Sequence, residues 1–244
     1  MILRFLPLLL AAATAGAAGP SSVLFIGNSY TAANGGLGLH LGEFYASANP
    51  GQRIESGEIT AGGATLENHW ANPAVIDALT GGLWDIAVMQ EQSTRPVTDP
   101  LLMYAYADSL GDLAAASGTA PAFLMTWARR SDPEMLGDLS AAYSWAAGLS
   151  GALVIPAGDA FRRSEMENPD ILLYEPDDSH PSPHGTYLTV CVLYAVIWED
   201  SPVGVEYVSD PSISPSERLA LQGTAWRTWL GRSGNSGDSE TGLP

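Results

Sequence analysis

Short apolar runs alternate with longer amphipathic ones along almost all of this chain, and that alternation restricts the fold more than any other feature. Residues 23–26, 53–59, 84–89, 122–127 and 152–156 read as strands, with turn-forming residues between them and their neighbours. Between them, residues 37–48, 73–79, 100–116 and 133–149 carry apolar positions at helical spacing. Leu37, Leu41, Phe44 and Tyr45 share one helical face. Residues 157–178 read as a long loop. An apolar helix follows over 183–200, and a last one over 214–230 opens on Ser214-Pro215-Ser216-Glu217. Strands that alternate with helices form βαβ units, which require a parallel sheet covered on both faces. The expected fold is α/β: a three-layer α/β/α sandwich around a central, mostly parallel sheet of about five strands, flavodoxin-like in outline.

The two ends read differently. Residues 1–19 hold one positive charge at Arg4, an apolar run over 5–13, then small residues. This is the pattern of a signal peptide, too short for a membrane span, with cleavage expected near residues 17–19. The expected protein is secreted or periplasmic, with no stable membrane insertion after the leader is removed. Residues 20–230 form one domain, and residues 231–244 are polar, glycine-rich and expected to be disordered. Export implies an oxidising compartment, yet Cys191 is the lone cysteine, so no internal disulfide is possible and burial must hold the fold. Its apolar surroundings mark it as an inert packing residue. The chain has net charge −17 and no lysine. Such a surface repels nucleic acid and anionic membrane, so neither is an expected partner, and it says little about substrate.

In an open α/β sheet, ligands bind beyond the carboxyl ends of the strands. Three loops expected there have unusual composition. Gly27-Asn28-Ser29 follows the first strand, Ala61-Gly62-Gly63 the second, and Gln90-Glu91-Gln92-Ser93 the third. A hydroxyl, bare glycine amides and a side-chain amide are the parts of a nucleophile with its oxyanion hole. The bland alternative is that Ser29 caps a helix. The second Gly-Asn-Ser, at 234–236, lies in the polar tail and is discounted. A serine hydroxyl also needs a base. His180 lies three residues after Asp177, close enough for that carboxylate to orient the imidazole, with Asp178 as competitor. Prolines between His180 and His184 keep them off one helical face, so no metal or cofactor is expected. Asn28, His69, Trp127 and Arg129 are candidate substrate contacts, each with a structural alternative such as a surface turn or a salt bridge.

Taken in order, these blocks resemble the SGNH hydrolases, also called the GDSL esterase superfamily. The resemblance rests on Gly27-Asn28-Ser29, Gly62-Gly63 and Asp177-x-x-His180-Pro181-Ser182, over residues 22–200. A little-characterised bacterial branch also carries the Gln-Glu-Gln-Ser motif and the ending seen at residues 179–188. The resemblance implies a three-layer α/β/α fold and hydrolysis of acyl or acetyl esters, often on carbohydrate, so the partner it implies is a small-molecule or glycan ester substrate. Ser29 would be the nucleophile, His180 the base and Asp177 its orienter. The backbone N–H groups of Ser29 and of Gly63 or Gly62 would hold the oxyanion. One block departs from the pattern: where Gly-x-Asn-Asp is usual, this chain has Gln90-Glu91-Gln92-Ser93, so Gln92, or else Gln90, would supply the third donor. Two other readings remain. One is a non-catalytic glycan-binding protein on the same fold. The other is a phosphate binder that cradles its ligand on residues 27–31, which leaves Asp177 and His180 without a role.

Overall fold

The structure, a computed structural model, describes residues 19–233. The leader pattern and the tail beyond Ser233 lie outside the described residues. Five strands form one sheet: β1 (Ser22–Gly27), β2 (Glu55–Thr60), β3 (Ile86–Met89), β4 (Ala120–Leu124) and β5 (Leu153–Ile155). All four pairings are parallel, in the order β2-β1-β3-β4-β5. This is the flavodoxin-like doubly wound order, in which the direction of winding reverses between β1 and β3. A crevice opens there, between the carboxyl ends of the two central strands.

Every residue of β1 and β3 is buried, which accounts for their unbroken apolar runs. Side chains on a strand alternate between faces. Val23 and Phe25 face one core, and Leu24 and Ile26 face the other. The first core is closed by α2 (Leu37–Ala48), α8 (Ala157–Glu167), α9 (Pro183–Trp198) and α10 (Pro215–Ser233). The second is closed by α3 (Leu66–Trp70), α4 (Pro73–Thr80), α6 (Pro100–Ala116) and α7 (Met135–Ser150). Two four-residue helices, α1 (Ser29–Ala32) and α5 (Arg95–Thr98), open directly beyond β1 and β3. Each fully buried Leu, Ile, Val or Phe contributes roughly 1.5–3 kcal/mol. Helix α9 is buried from Gly185 to Ile197, the mark of a helix covered on all sides. Cys191 lies within it, where burial raises its thiol pKa.

The structure corrects the sequence reading in two places. Residues 157–178 are not one loop, because α8 occupies their first half. Its inner face is Ala157, Ala160, Phe161 and Ser164, a helical spacing built mostly from small residues. Such a face buries closely against its neighbours, α9 and α10 among them, but gives little apolar signal. The last helix also runs on through Gly231 and Arg232 to Ser233, so the chain does not leave regular structure at 231. Arg232 meets Asp159 of α8 at 2.7 Å. Among the described residues, no helix is long and apolar enough to cross a membrane.

Candidate active site

The first strand ends where its neighbours leave room for a ligand. Asn28 caps α1, its side-chain oxygen accepting from Tyr30 N at 3.1 Å, while its Nδ2 donates to Ala64 O at 3.0 Å. The capping role therefore belongs to Asn28, and the hydroxyl of Ser29 is left for other work. That hydroxyl lies 2.9 Å from His180 Nε2. His180 Nδ1 lies 2.5 Å from Asp177 Oδ2. Asp177 Oδ1 accepts from the backbone N–H of Ser179 at 3.0 Å and of His180 at 2.9 Å.

These contacts fix the histidine tautomer. The hydrogen bond from the His180 side chain holds the Asp177 carboxyl down at about 2, so near neutrality it accepts only. Nδ1 must then carry the proton, and the lone pair of Nε2 faces the serine hydroxyl. Asp178 takes a different part: its backbone is left-handed at φ 58° and its side chain meets Arg130 at 3.8 Å.

The loop carrying His180 is held from both sides. Glu175 N donates to His180 O at 2.9 Å, and Ser182 N donates to Leu173 O at 2.9 Å. Ser182 caps α9 by accepting from Gly185 N at 3.2 Å. A Cβ on Gly185 would stand 2.3 Å from Leu173 O, so only glycine lets α9 start this close to the loop. Below, Trp127 donates from Nε1 to Ser179 O at 3.0 Å and stacks between Tyr30 and Phe161, with ring centroids 4.9 and 4.1 Å away. Trp127 is thus a buried support of the histidine loop rather than a substrate contact. His69 is also buried, with Nε2 2.9 Å from Gly27 O, and it holds the end of β1. Desolvation lowers its pKa, partly offset by the hydrogen bond with Gly27 O.

A small open cleft of about 260 Å³ is lined by Asn28, Ser29, Gly63, Gln92, Arg129 and His180, among others. Ser29, first residue of α1, and Gly63 both line the cleft, and the backbone N–H of each has no hydrogen-bond acceptor among the described residues. The chain turns at residues 61–64, closed by Ala64 N to Ala61 O at 3.0 Å, with Gly63 in the left-handed region at φ 66°. Gly62 does not line the cleft.

Of the two glutamines, Gln90 is fully buried. Its Oε1 accepts from Asn28 N and Thr31 Oγ1, its Nε2 donates to Glu91 O, and it does not line the cleft. Gln92 is arranged the other way. Its Oε1 accepts from Thr94 N, Thr94 Oγ1 and Arg95 N at 2.8–3.0 Å. Three donors identify that atom as oxygen, and they leave Nε2 with one long 3.4 Å contact to Ser93 Oγ.

Glu91 went unused in the sequence reading, yet it ties the Gln92 loop to the start of α3. Fully buried, it accepts from Gln92 N at 2.6 Å and from Leu66 N, at the start of α3, at 3.3 Å. Its Oε2 has no hydrogen-bond partner among the described residues. Desolvation raises its pKa to about 7, with smaller contributions from Arg95, which lowers it, and Glu67, which raises it. A folded-state pKa above the unfolded value makes the protein most stable while the group stays protonated, and stability falls as pH rises toward and through about 7. Glu91→Gln keeps an acceptor for both N–H groups and removes the charge. It is expected to raise Tm at pH 8 by roughly 2–8 °C, the equivalent of about 1–2 kcal/mol, and to change it little at pH 4. Thermal scans at the two pH values check this; an equal shift at both would show that the ionised carboxylate carries no cost.

No family model matches this chain, and no curated protein does. Solved structures do. A candidate SGNH hydrolase from Slackia heliotrinireducens aligns at 30% sequence identity and a TM-score of 0.63, over 72% of this chain and 97% of that one. A DUF4886 family protein from Bacteroides uniformis aligns at 20% identity and a TM-score of 0.67, over 86% and 94%. A variant of an acetyl xylan esterase from Geobacillus stearothermophilus aligns at 16% identity and a TM-score of 0.58, over 77% and 96%. At those lower identities, the last two likenesses concern the fold alone.

Proposed function

This chain belongs to the SGNH hydrolases, and from that premise we propose that it is an exported serine esterase acting on acyl or acetyl esters, carbohydrate esters included. The observation that carries the reading is the continuous hydrogen-bonded line from Ser29 Oγ through the His180 ring to Asp177. Serine is a weak nucleophile until a base takes its proton, and here the lone pair of Nε2 lies 2.9 Å from Oγ.

In the proposed reaction, Ser29 Oγ attacks the ester carbonyl carbon as its proton passes to His180 Nε2. The carbonyl oxygen becomes an oxyanion, held by the N–H groups of Ser29 and Gly63 and by Nε2 of Gln92. Their fixed orientation stabilises charge that is present only in the transition state and intermediate. The C–O bond to the alcohol breaks, and the imidazolium hands its proton to the leaving oxygen. Water then attacks the acyl-serine, again losing its proton to His180, and the acid departs as Ser29 recovers its own. Asp177 remains ionised throughout and balances the transient imidazolium.

The small size of the cleft favours short acyl groups. The acetyl xylan esterase among the similar structures acts, by its name, on an acetylated polysaccharide. An acetyl ester on a glycan is the corresponding proposal for this chain, and the leader pattern at residues 1–19 is the basis for proposing export. A panel of esters from acetyl to long acyl, simple and sugar-linked, with Ser29→Ala as blank, tests the reading. Hydrolysis fastest for acetyl is expected. Equal rates from both folded proteins across the panel would overturn it and favour the glycan-binding alternative.

A further inference from the structure

The cleft differs in charge from the rest of the molecule. The chain holds 27 acidic residues against 10 basic ones, yet among the described residues no aspartate or glutamate lines the cleft. Asp177 sits behind His180, Glu91 is buried, and Asp178 is engaged with Arg130. Among the described residues, the one permanently charged side chain on the cleft wall is Arg129. Other arginines are occupied: Arg95 by Glu67, Arg163 and Arg227 by Glu167, Arg218 by Glu206, Arg53 by a backbone carbonyl. Arg129 is exposed and, among the described residues, is the one arginine whose side chain meets neither a carboxylate nor a carbonyl. Its backbone is fixed nonetheless, because Arg129 O accepts from Asp132 N at 2.9 Å and Arg130 N donates to Asp178 O at 3.0 Å. A larger groove between α8 and α10 offers no parallel, since its arginines share it with Asp159 and Glu167.

We propose that the ester accepted here bears a carboxylate, which binds the guanidinium of Arg129. This deepens the esterase reading and rests on it. The planar fork of a guanidinium matches the two oxygens of a carboxylate. One unpaired cation balances one negative charge, which suits a monoanion better than a doubly charged phosphate. The acidic surface repels anions at longer range, but salt screens that repulsion beyond about 8–10 Å, so contact with Arg129 decides at short range.

Two matched pairs of esters test this. In one the charge is on the alcohol side: para-acetoxybenzoate against para-acetoxybenzamide. In the other it is on the acyl side: the nitrophenyl monoester of terephthalic acid against that of terephthalamic acid. The para geometry keeps the carboxylate from attacking its own ester. The readout is the ratio of kcat/KM for the anionic member to that for the neutral one. In at least one pair, Arg129→Gln is expected to lower this ratio about tenfold, with Arg129→Lys recovering part of the loss. A ratio unchanged by Arg129→Gln in both pairs, with hydrolysis intact, would overturn the carboxylate proposal and leave the esterase reading standing. Wild-type rates no higher than those of Ser29→Ala on all four esters would overturn both.

Discussion

Replacing Ser29 by alanine is expected to lower kcat/KM for p-nitrophenyl acetate by about 10⁴-fold or more while leaving Tm within roughly 2 °C. The two halves of this expectation have separate causes. The loss of rate follows because, among the described residues, Ser29 is the one whose hydroxyl meets His180 Nε2. What remains is catalysis by the N–H groups of the cleft acting on bound ester, roughly 10³-fold over water. The small change in stability follows because Asn28, not Ser29, caps α1, so alanine removes no bond that the helix needs. A loss of activity accompanied by a large drop in Tm would mean that Ser29 is holding the structure instead.

Asp177→Asn is expected to lower kcat by about 10⁴-fold, for a reason that can be followed atom by atom. The backbone N–H groups of Ser179 and His180 both point at Oδ1 and so select the oxygen of the new amide for that position. The amide NH₂ must then face His180 Nδ1, where Oδ2 stood at 2.5 Å. A donor there forces Nδ1 to accept, which puts the imidazole proton on Nε2, pointing at Ser29 Oγ. In that tautomer the ring cannot take the serine proton. The histidine stays in place while its lone pair faces the wrong way, so a structure of the variant close to wild type together with nearly lost turnover is the expected pair of observations. Near-normal turnover in a folded Asp177→Asn protein would remove Asp177 from the mechanism.

Much of the fold was legible because the sheet is parallel and covered on both faces. Buried strands such as β1 must be apolar throughout, and α9, closed in on all sides, must be as well; such runs stand out in a sequence. Helix α8 did not stand out, because its buried face is Ala157, Ala160, Phe161 and Ser164, and close packing by small residues leaves almost no apolar pattern. The final turn of α10 was missed because Gly231 and Ser233 are poor helix formers, and the contact of Arg232 with Asp159 is tertiary. At the site, the contact of Asp177 with His180 is local, so spacing alone brought that pair forward, but Asp178 stayed a competitor, and only its turn toward Arg130 separates the two. The long-range contacts were harder to foresee. Trp127 and His69 lie beside the candidate blocks in sequence but turn inward, one beneath the histidine loop and the other onto Gly27 O. Gln90 and Gln92 are two residues apart, and only their partners distinguish them, one spent on Asn28 and Thr31, the other pinned so that its NH₂ is left over. Glu91 gave no signal in the sequence because its importance lies in joining Leu66 to Gln92 across two loops.

The central claim is that folding turns the oxygen of residue 29 into an activated nucleophile. Labelling with a fluorophosphonate, read by mass spectrometry of the digested protein, tests it directly because the reagent phosphonylates serines that have a base at hand. One adduct per chain is expected, on the peptide containing Ser29, absent from Ser29→Ala and formed far more slowly in His180→Ala. A folded wild-type protein that takes up no label, or carries it on a different serine, would contradict the account.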